Sequence, residues 1–315
     1  MSKIASLLTL LVAVLVCWLP AAPAQAQASR TFVSAAGSDS NNCTNVATPC
    51  RHFAAAYAKT AAEGEIDVLD PANYGALTIS QGISIQGHGW ASVSAVTNGA
   101  AITITGGDKI NISGVILDGG AATNSNGIRF NSAGSLTVRD CVIRNFSNYG
   151  ILFAPNNSSQ LFVSNTLVSD NGYIGISIQS DGPGTATGVL NHVKIENNTS
   201  DGLNAGSGLT GTQTTNVTVS DSVSANNGGS GIFVQSTGSF PVSIMVRNST
   251  VANNAAHGLV ATSTGATILV TRSTITGNNI GWDAFASGVV TSYADNNIDG
   301  NGSANTEPPS TLTYQ

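Results

Sequence analysis

From residue 127 onward, short runs of alternating apolar and polar residues come in pairs: "GIRF" then "SLTVRD", "GILF" then "QLFVSN", "GIFV" then "PVSIMVRN", "GLVA" then "TILVTRS". Alternation of period two sends successive side chains to opposite faces of an extended chain, so each run predicts a strand buried on one side. The glycine that opens the first run of each pair recurs at Gly127, Gly150, Gly175, Gly202, Gly231, Gly258 and Gly281, at spacings of 23, 25, 27, 29, 27 and 23 residues. One supersecondary unit is repeated.

The polar residues between the pairs are also periodic. Aligned on Asp140, Asn165, Asn191, Asp221, Asn248, Arg272 and Asp295, the units carry asparagine six residues later at Asn171, Asn197, Asn227, Asn254, Asn278 and Asn301; the first unit has Phe146 there. If each unit is one coil of a solenoid, equivalent residues stack about 4.8 Å apart. A column of asparagines then satisfies backbone groups at a tight turn while the amides bond along the stack. The glycine that follows is expected to supply the backbone freedom needed to leave the turn. Leu136 and Val138, Val217 and Val219, Ile244 and Val246, and Ile268 and Val270 are the expected interior.

Upstream, Thr48 suits an N-cap, Pro49 a first helical position, and Phe53, Tyr57 and Ala61 recur every four residues before Gly64. That pattern predicts a helix over 49–63 with one apolar stripe, closing the open end of the solenoid. Residues 302–315, with two consecutive prolines, break the repeat and either lie across the last coil or are loose. Residues 1–28 read as a cleavable leader: Lys3 precedes the apolar run 7–19 and the small-residue stretch "AQAQA". The apolar run is too short for a membrane span, so the mature chain, 29–315, is expected to be one solenoid domain with no transmembrane segment, secreted or periplasmic. Cys17 leaves with the leader. In an oxidising compartment Cys43 and Cys50 are expected to pair, while Cys141 reads as a small buried hydrophobe.

Composition narrows the partners. Only 9% of the 315 residues are charged, 35 are glycine, and the net charge is -6, so there is no basic footprint for nucleic acid or anionic membranes.

The asparagine-bearing coils, together with "TFVSAAGSDSNNC" and the cap segment that follows it, resemble the right-handed parallel β-helix of the pectin-lyase-like superfamily, including its bacterial right-handed β-helix repeat members. The resemblance implies an all-β fold, a single-stranded right-handed parallel β-helix with a short N-terminal capping α-helix. Members that cleave polysaccharides work on the outer face of the parallel sheets: the lyases commonly combine acidic calcium ligands with an arginine or lysine base, and the hydrolases use clustered aspartates.

Neither set stands out. Gly87-His88-Gly89 is similar to a polygalacturonase motif only in three letters, precedes the asparagine coils, and reads as a turn. His52, His192 and His257 form no metal-ligand pair at short spacing. Asp170 and Glu196 fall in one column of the alignment, five residues after its reference position, with Asn145 and Asn226 on either side. They are either a calcium pair or the solvated edge of the asparagine ladder, relieved by Lys194 or water. Arg144 and Lys194 are the loose candidates for a base, and outward Phe162, Met245, Leu269 and Phe233 form a candidate contact strip. Two classes of function follow: a non-catalytic exported scaffold that binds polysaccharide or a cell-surface or matrix component, and a calcium-dependent lyase of uronate-containing polymers using Asp170 and Glu196, with calcium the one cofactor implied.

Overall fold

The computed structural model describes residues 27–180, 182–207, 214–237 and 240–309. Nearly all of the expected leader, Cys17 included, and the last residues of the tail lie outside the described residues.

The chain winds as a right-handed parallel β-solenoid in which every coil contributes to three faces. The first, called here the long face, is built from strands such as Gly134–Arg139, Ser159–Ser164, Thr185–Asn191, Thr214–Ser220 and Val242–Arg247. One residue further on, the chain turns into the short face, with strands such as Val142–Arg144, Leu167–Ser169, Lys194–Glu196 and Val223–Ala225. These two faces form one 19-stranded sheet, and nine strands from Leu77–Ile79 to Ile280–Phe285 form the back sheet. Inward residues alternate with outward ones, and Leu136, Val138, Val217, Val219, Ile244, Val246, Ile268 and Val270 are all buried in the common core, as the pattern predicts.

The corner between long and short faces is a single residue in left-handed conformation at Asp140, Asn165, His192, Asp221, Asn248 and Arg272. Aspartate and asparagine tolerate that region better than most residues. His192, not Asn191, occupies the corner in its coil, because Asn191 still pairs with Ser164 as the last residue of its strand. The alignment therefore slips by one in this coil. The ladder member is Asn198, not Asn197, and the column runs Asn171, Asn198, Asn227, Asn254, Asn278, Asn301.

Each of these side chains is buried and does three jobs. The Asn198 Nδ2 donates to Asn227 Oδ1 at 3.0 Å, and the same oxygen accepts the Asn198 backbone N–H at 3.1 Å. Asn227 Nδ2 donates in turn to Asn254 Oδ1 at 2.9 Å and to the Ile195 carbonyl at 3.2 Å. Asn197 precedes the ladder in an exposed, left-handed turn position. The glycine column serves this network by its lack of volume, not by an unusual φ: a Cβ on Gly202 would stand 2.7 Å from Asn227 Nδ2 and 2.8 Å from the Gly231 carbonyl.

A second column stabilises the other corner. Val193 N–H donates to Ser222 Oγ, Ser222 N–H to Ser249 Oγ, and Ser249 N–H to Ser273 Oγ, at 3.0 to 3.2 Å. These hydroxyls donate back to carbonyls two residues earlier, as Ser222 does to Ser220.

The N-terminal end is closed differently from expectation. The helix spans only Phe53–Tyr57, with Phe53 and Ala56 buried and Phe53 packed against Tyr74 at 5.2 Å. The N-cap position falls to His52, with no side-chain hydrogen bond to the helix, and Asp39 Oδ1 accepts the N–H groups of Arg51 and His52 just ahead of it, so Thr48 is not the cap. It stops early because Thr60 donates its hydroxyl to the Ala56 carbonyl and starts the strand Thr60–Val68, which pairs with Ala28–Val33. Ala61 and Gly64 therefore belong to a strand. Cys43 and Cys50 form a disulfide beside this cap, and Cys141 is free and buried, a setting that pushes its thiol up to about 11. At the far end the tail lies across the last coil: Asn305 Oδ1 accepts from Asn301, Trp282 Nε1 donates to the Thr306 carbonyl at 2.7 Å, and Glu307 accepts from Asn296 N–H and from Ser292.

Asn227→Ala strands two or more buried polar groups, each costing about 1–3 kcal/mol, so it is expected to destabilise the protein by about 3 kcal/mol or more. Asn197→Gly keeps the left-handed turn and is expected to change stability by less than about 0.5 kcal/mol. Urea or thermal unfolding compares them; equal losses would remove Asn198 from the ladder.

Candidate functional site

The outward side of the long face is a regular surface on which strand register assigns the side chains to columns. One column runs Lys109, Ser135, Gln160, Thr187, Asn216, Ser243; beside it run Asn111, Thr137, Phe162, Val189, Thr218, Met245, Leu269. Hydroxyl and amide groups thus lie next to a row of apolar ones. Period-two alternation fixes which residues face out but leaves their identity free, and from Ser135 to Ser243 the first column is filled with neutral polar side chains.

Two shallow depressions indent this surface. The first, about 370 Å³, is lined by Asp108, Lys109, Ser135, Ser158, Gln160, Thr185 and Thr187. The second, about 300 Å³, is lined by Thr187, Val189, Asn216, Thr218, Ser243 and Met245, with Gly188 in its floor. They share Thr187 and make one groove along the solenoid axis. Gly188, which lines the second depression, stands in register between inward Leu161 and Val217. The floor is mixed in character, Val189 and Met245 being apolar and the rest neutral and polar except for Asp108 and Lys109 at one end.

The expected contact strip is only partly assembled. Phe162, Met245 and Leu269 share the outward column, joined by Val189, which the one-residue slip had hidden by exchanging it with inward, buried Leu190. Phe233 lies on the back sheet between Asn204 and Val260.

The acidic pair is not in one column. Glu196 pairs with Ser169 across the short face, while Asp170 occupies the following turn, where its in-register neighbour is Asn197. The Asp170 N–H donates to the Glu196 carbonyl at 3.2 Å, and its carboxylate accepts the Ser169 hydroxyl at 2.7 Å. Calcium takes six to eight oxygens; the two carboxylates stand in different columns, and that of Asp170 already accepts one hydroxyl. Among the described residues no three histidine, cysteine or acidic side chains converge as a metal-ligand group. Of the candidate bases, Arg144 is tied to Asp118 at 3.0 Å, and Lys194 is exposed on the outward side of the short face, two residues before Glu196 on the same strand. Arg139 and Arg247 share an outward column of the long face with Ser164, Asn191 and Ser220 between them.

One titratable cluster was not anticipated, and it lies on the back sheet. Burial pushes the Asp201 carboxyl above its ordinary range, against the opposing pull of the Ser230 N–H at 2.7 Å, the Asn204 amide and the His257 ring. His257 sits 3.8 Å from Asp283 and edge-on to Phe285. The signal that would have revealed it is the placement of Asp201, Ser230 and His257 each one residue ahead of the repeat's glycine, which stacks them on successive coils.

The comparisons agree with this architecture. A family model described as a right handed beta helix region matches residues 78–243 and 126–303. Among solved structures, the crystal structure of pectate lyase Pel9A superposes with a TM-score of 0.68 at 16% identity, covering 92% of this chain and 79% of that one. A lacto-N-biosidase of family GH136 from Eubacterium ramulus matches at 10% identity with a TM-score of 0.39, over 85% of this chain and 67% of the other. The first shares the fold; the second superposes too loosely to compare in detail. No curated protein matches the chain. No helix among the described residues is long and apolar enough to cross a membrane.

The raised Asp201 carboxyl has a definite consequence for stability. The fold favours its protonated form, so the penalty for ionising it is absent below the unfolded carboxyl value and complete above the folded one. Asp201→Asn keeps an acceptor for the Ser230 N–H and is expected to raise the melting temperature at pH 7, a gain that disappears by about pH 3. Melting curves across pH check it; a variant less stable at pH 7 would show that the charged carboxylate is held favourably.

Proposed function

Because the chain belongs to the right-handed β-helix family, we propose that it is a non-catalytic scaffold that binds an extended polysaccharide along the groove of the long face. The observation that carries this reading is the groove itself. It crosses successive coils from Lys109 to Ser243 and Met245, and presents hydroxyl and amide groups beside an apolar row. Binding sites for neutral polar ligands combine apolar contact area with a few placed polar groups. Strands repeat about every 4.8 Å along the axis, close to the length of one sugar unit in an extended glycan. A polymer lying along the axis therefore meets a similar set of side chains at each residue.

The groove holds one carboxylate, Asp108. Hydrolysis of a glycosidic bond ordinarily uses two flanking carboxyl groups, and abstraction of a proton from a uronate needs a base within hydrogen-bond reach. Calcium-dependent lyase chemistry at Asp170 and Glu196 is the competing reading, favoured by their presence on adjacent coils and opposed by their different columns. Work outside the cytoplasm belongs to the proposal, supported by the leader-like sequence of residues 1–28 and by the Cys43–Cys50 disulfide.

The combined variant Thr187→Lys and Met245→Lys places two long charged side chains in the groove. It is expected to weaken retention on polysaccharide-containing gels about tenfold, equivalent to about 1.4 kcal/mol, with the melting temperature unchanged. Polymer length is expected to stay constant with calcium and with chelator. Calcium-dependent shortening with unsaturated ends, abolished by Asp170→Asn, would replace the scaffold reading with the lyase.

A further inference from the structure

At the N-terminal end of the long face the corner departs from its single-residue form. Gln86 pairs with Ser113 and Ala91 with Val115, so residues 87–90 stand against Gly114 alone. The two corners touch backbone to backbone. A Cβ on Gly87 would lie 2.4 Å from the Gly114 carbonyl, and one on Gly114, itself at φ +64°, would lie 2.7 Å from the N atoms of His88 and Gly89. With no room inside, His88 at φ 55° and Gly89 at φ 83° carry the chain outward and leave Trp90 on the surface, 46% exposed.

The side chains around this bulge are organised. His88 Nε2 lies 2.6 Å from Asp67 Oδ1, the other oxygen of Asp67 is 2.9 Å from Arg30, and Arg30 reaches Glu65 at 2.8 Å. The His88 and Trp90 rings meet at 5.6 Å with a tilt of 42°. A three-residue enlargement of an otherwise minimal corner thus ends in an indole facing solvent beside a row of planar hydrogen-bonding groups. Neither burial nor the ladder networks account for it.

We propose that this corner binds one neutral pyranose residue, stacked on Trp90, with its hydroxyls taken by Asp67 and His88. The apolar C–H face of a sugar ring matches an exposed indole, and Trp offers large contact area with a polar edge. Charge selects against acidic sugars. Arg30, the one permanent cation of the cluster, is already shared by two carboxylates, so no unopposed positive charge is left for a uronate. Arg30 and Glu65 head the same outward column as Ser84 and Asn111, which continues into the groove. The inference deepens the polysaccharide reading, on which it rests, by assigning that polymer a neutral class.

The full chain has two tryptophans beyond residue 28, Trp90 and Trp282, and the latter is engaged by the Thr306 carbonyl. Trp90 fluorescence, isolated by comparison with Trp90→Phe, is titrated with cellohexaose, xylohexaose, mannohexaose and hexagalacturonate. A saturable response to at least one neutral hexasaccharide and none to hexagalacturonate is expected, with affinity falling about tenfold or more in Trp90→Ala and in Asp67→Asn while melting temperatures hold. Polymer retention by the parent protein with Trp90 silent to every neutral probe overturns the corner and leaves the groove. A Trp90 response with no retention of any polymer overturns the groove reading and leaves the corner. An equal response to hexagalacturonate overturns the neutral assignment.

Discussion

Everything in this molecule depends on keeping successive coils in register at the turn after the short face, where a buried amide must be satisfied by the coil on each side. The asparagine column meets that constraint. Each amide closes a backbone N–H in the preceding coil, accepts from the preceding amide and donates to the following one. A buried amide without partners is costly, so an asparagine displaced by one residue is penalised several times over. Apolar packing alone would tolerate a wider set of alignments, because valine, isoleucine and leucine are largely interchangeable inside. The amides supply the specificity, and the glycines beside them supply the space.

This division explains what the sequence revealed and what it hid. Strand period and coil repeat were legible, since alternation and spacing follow directly from the geometry of stacked strands. Asn197 was confused with Asn198 because two adjacent asparagines sit where the column needs one, and only the inward position of Leu190 distinguishes the two registers. The helix was overread for a related reason. Phe53 and Tyr57 carry a true helical spacing, but the residues that follow are drawn into a strand by pairing with Ala28–Val33, a contact some thirty residues away. Asp39, which holds the backbone just ahead of the helix, is likewise a partner that no local pattern announces.

The candidate surface was harder to read than the fold, for a physical reason. Outward positions of a β-solenoid carry no packing demand, so their side chains are not periodic and can be identified only after register is known. The row of apolar side chains appears only when Val189 is turned out. Asp170 and Glu196 illustrate the converse: proximity inferred from a slipped alignment paired them in a column they do not share. The exposed bulge at His88 was legible as a turn but not as an enlargement, which needs the neighbouring corner at Gly114 for comparison.

The amide row also has a direction. Every Nδ2 in it points toward the next coil and every Oδ1 toward the one before, so each turn is finished only when its successor arrives. Phe146, which has a backbone N–H to give and no amide to pass on, starts the row; Asn305, which donates back to the Asn301 carbonyl, turns its last donor inward. The solenoid therefore behaves less like a stack of equal parts than like a zip with a stop at one end. Shortening it at a coil boundary on the C-terminal side leaves the new last turn with an open backbone donor, whereas shortening from the other side leaves an open amide oxygen.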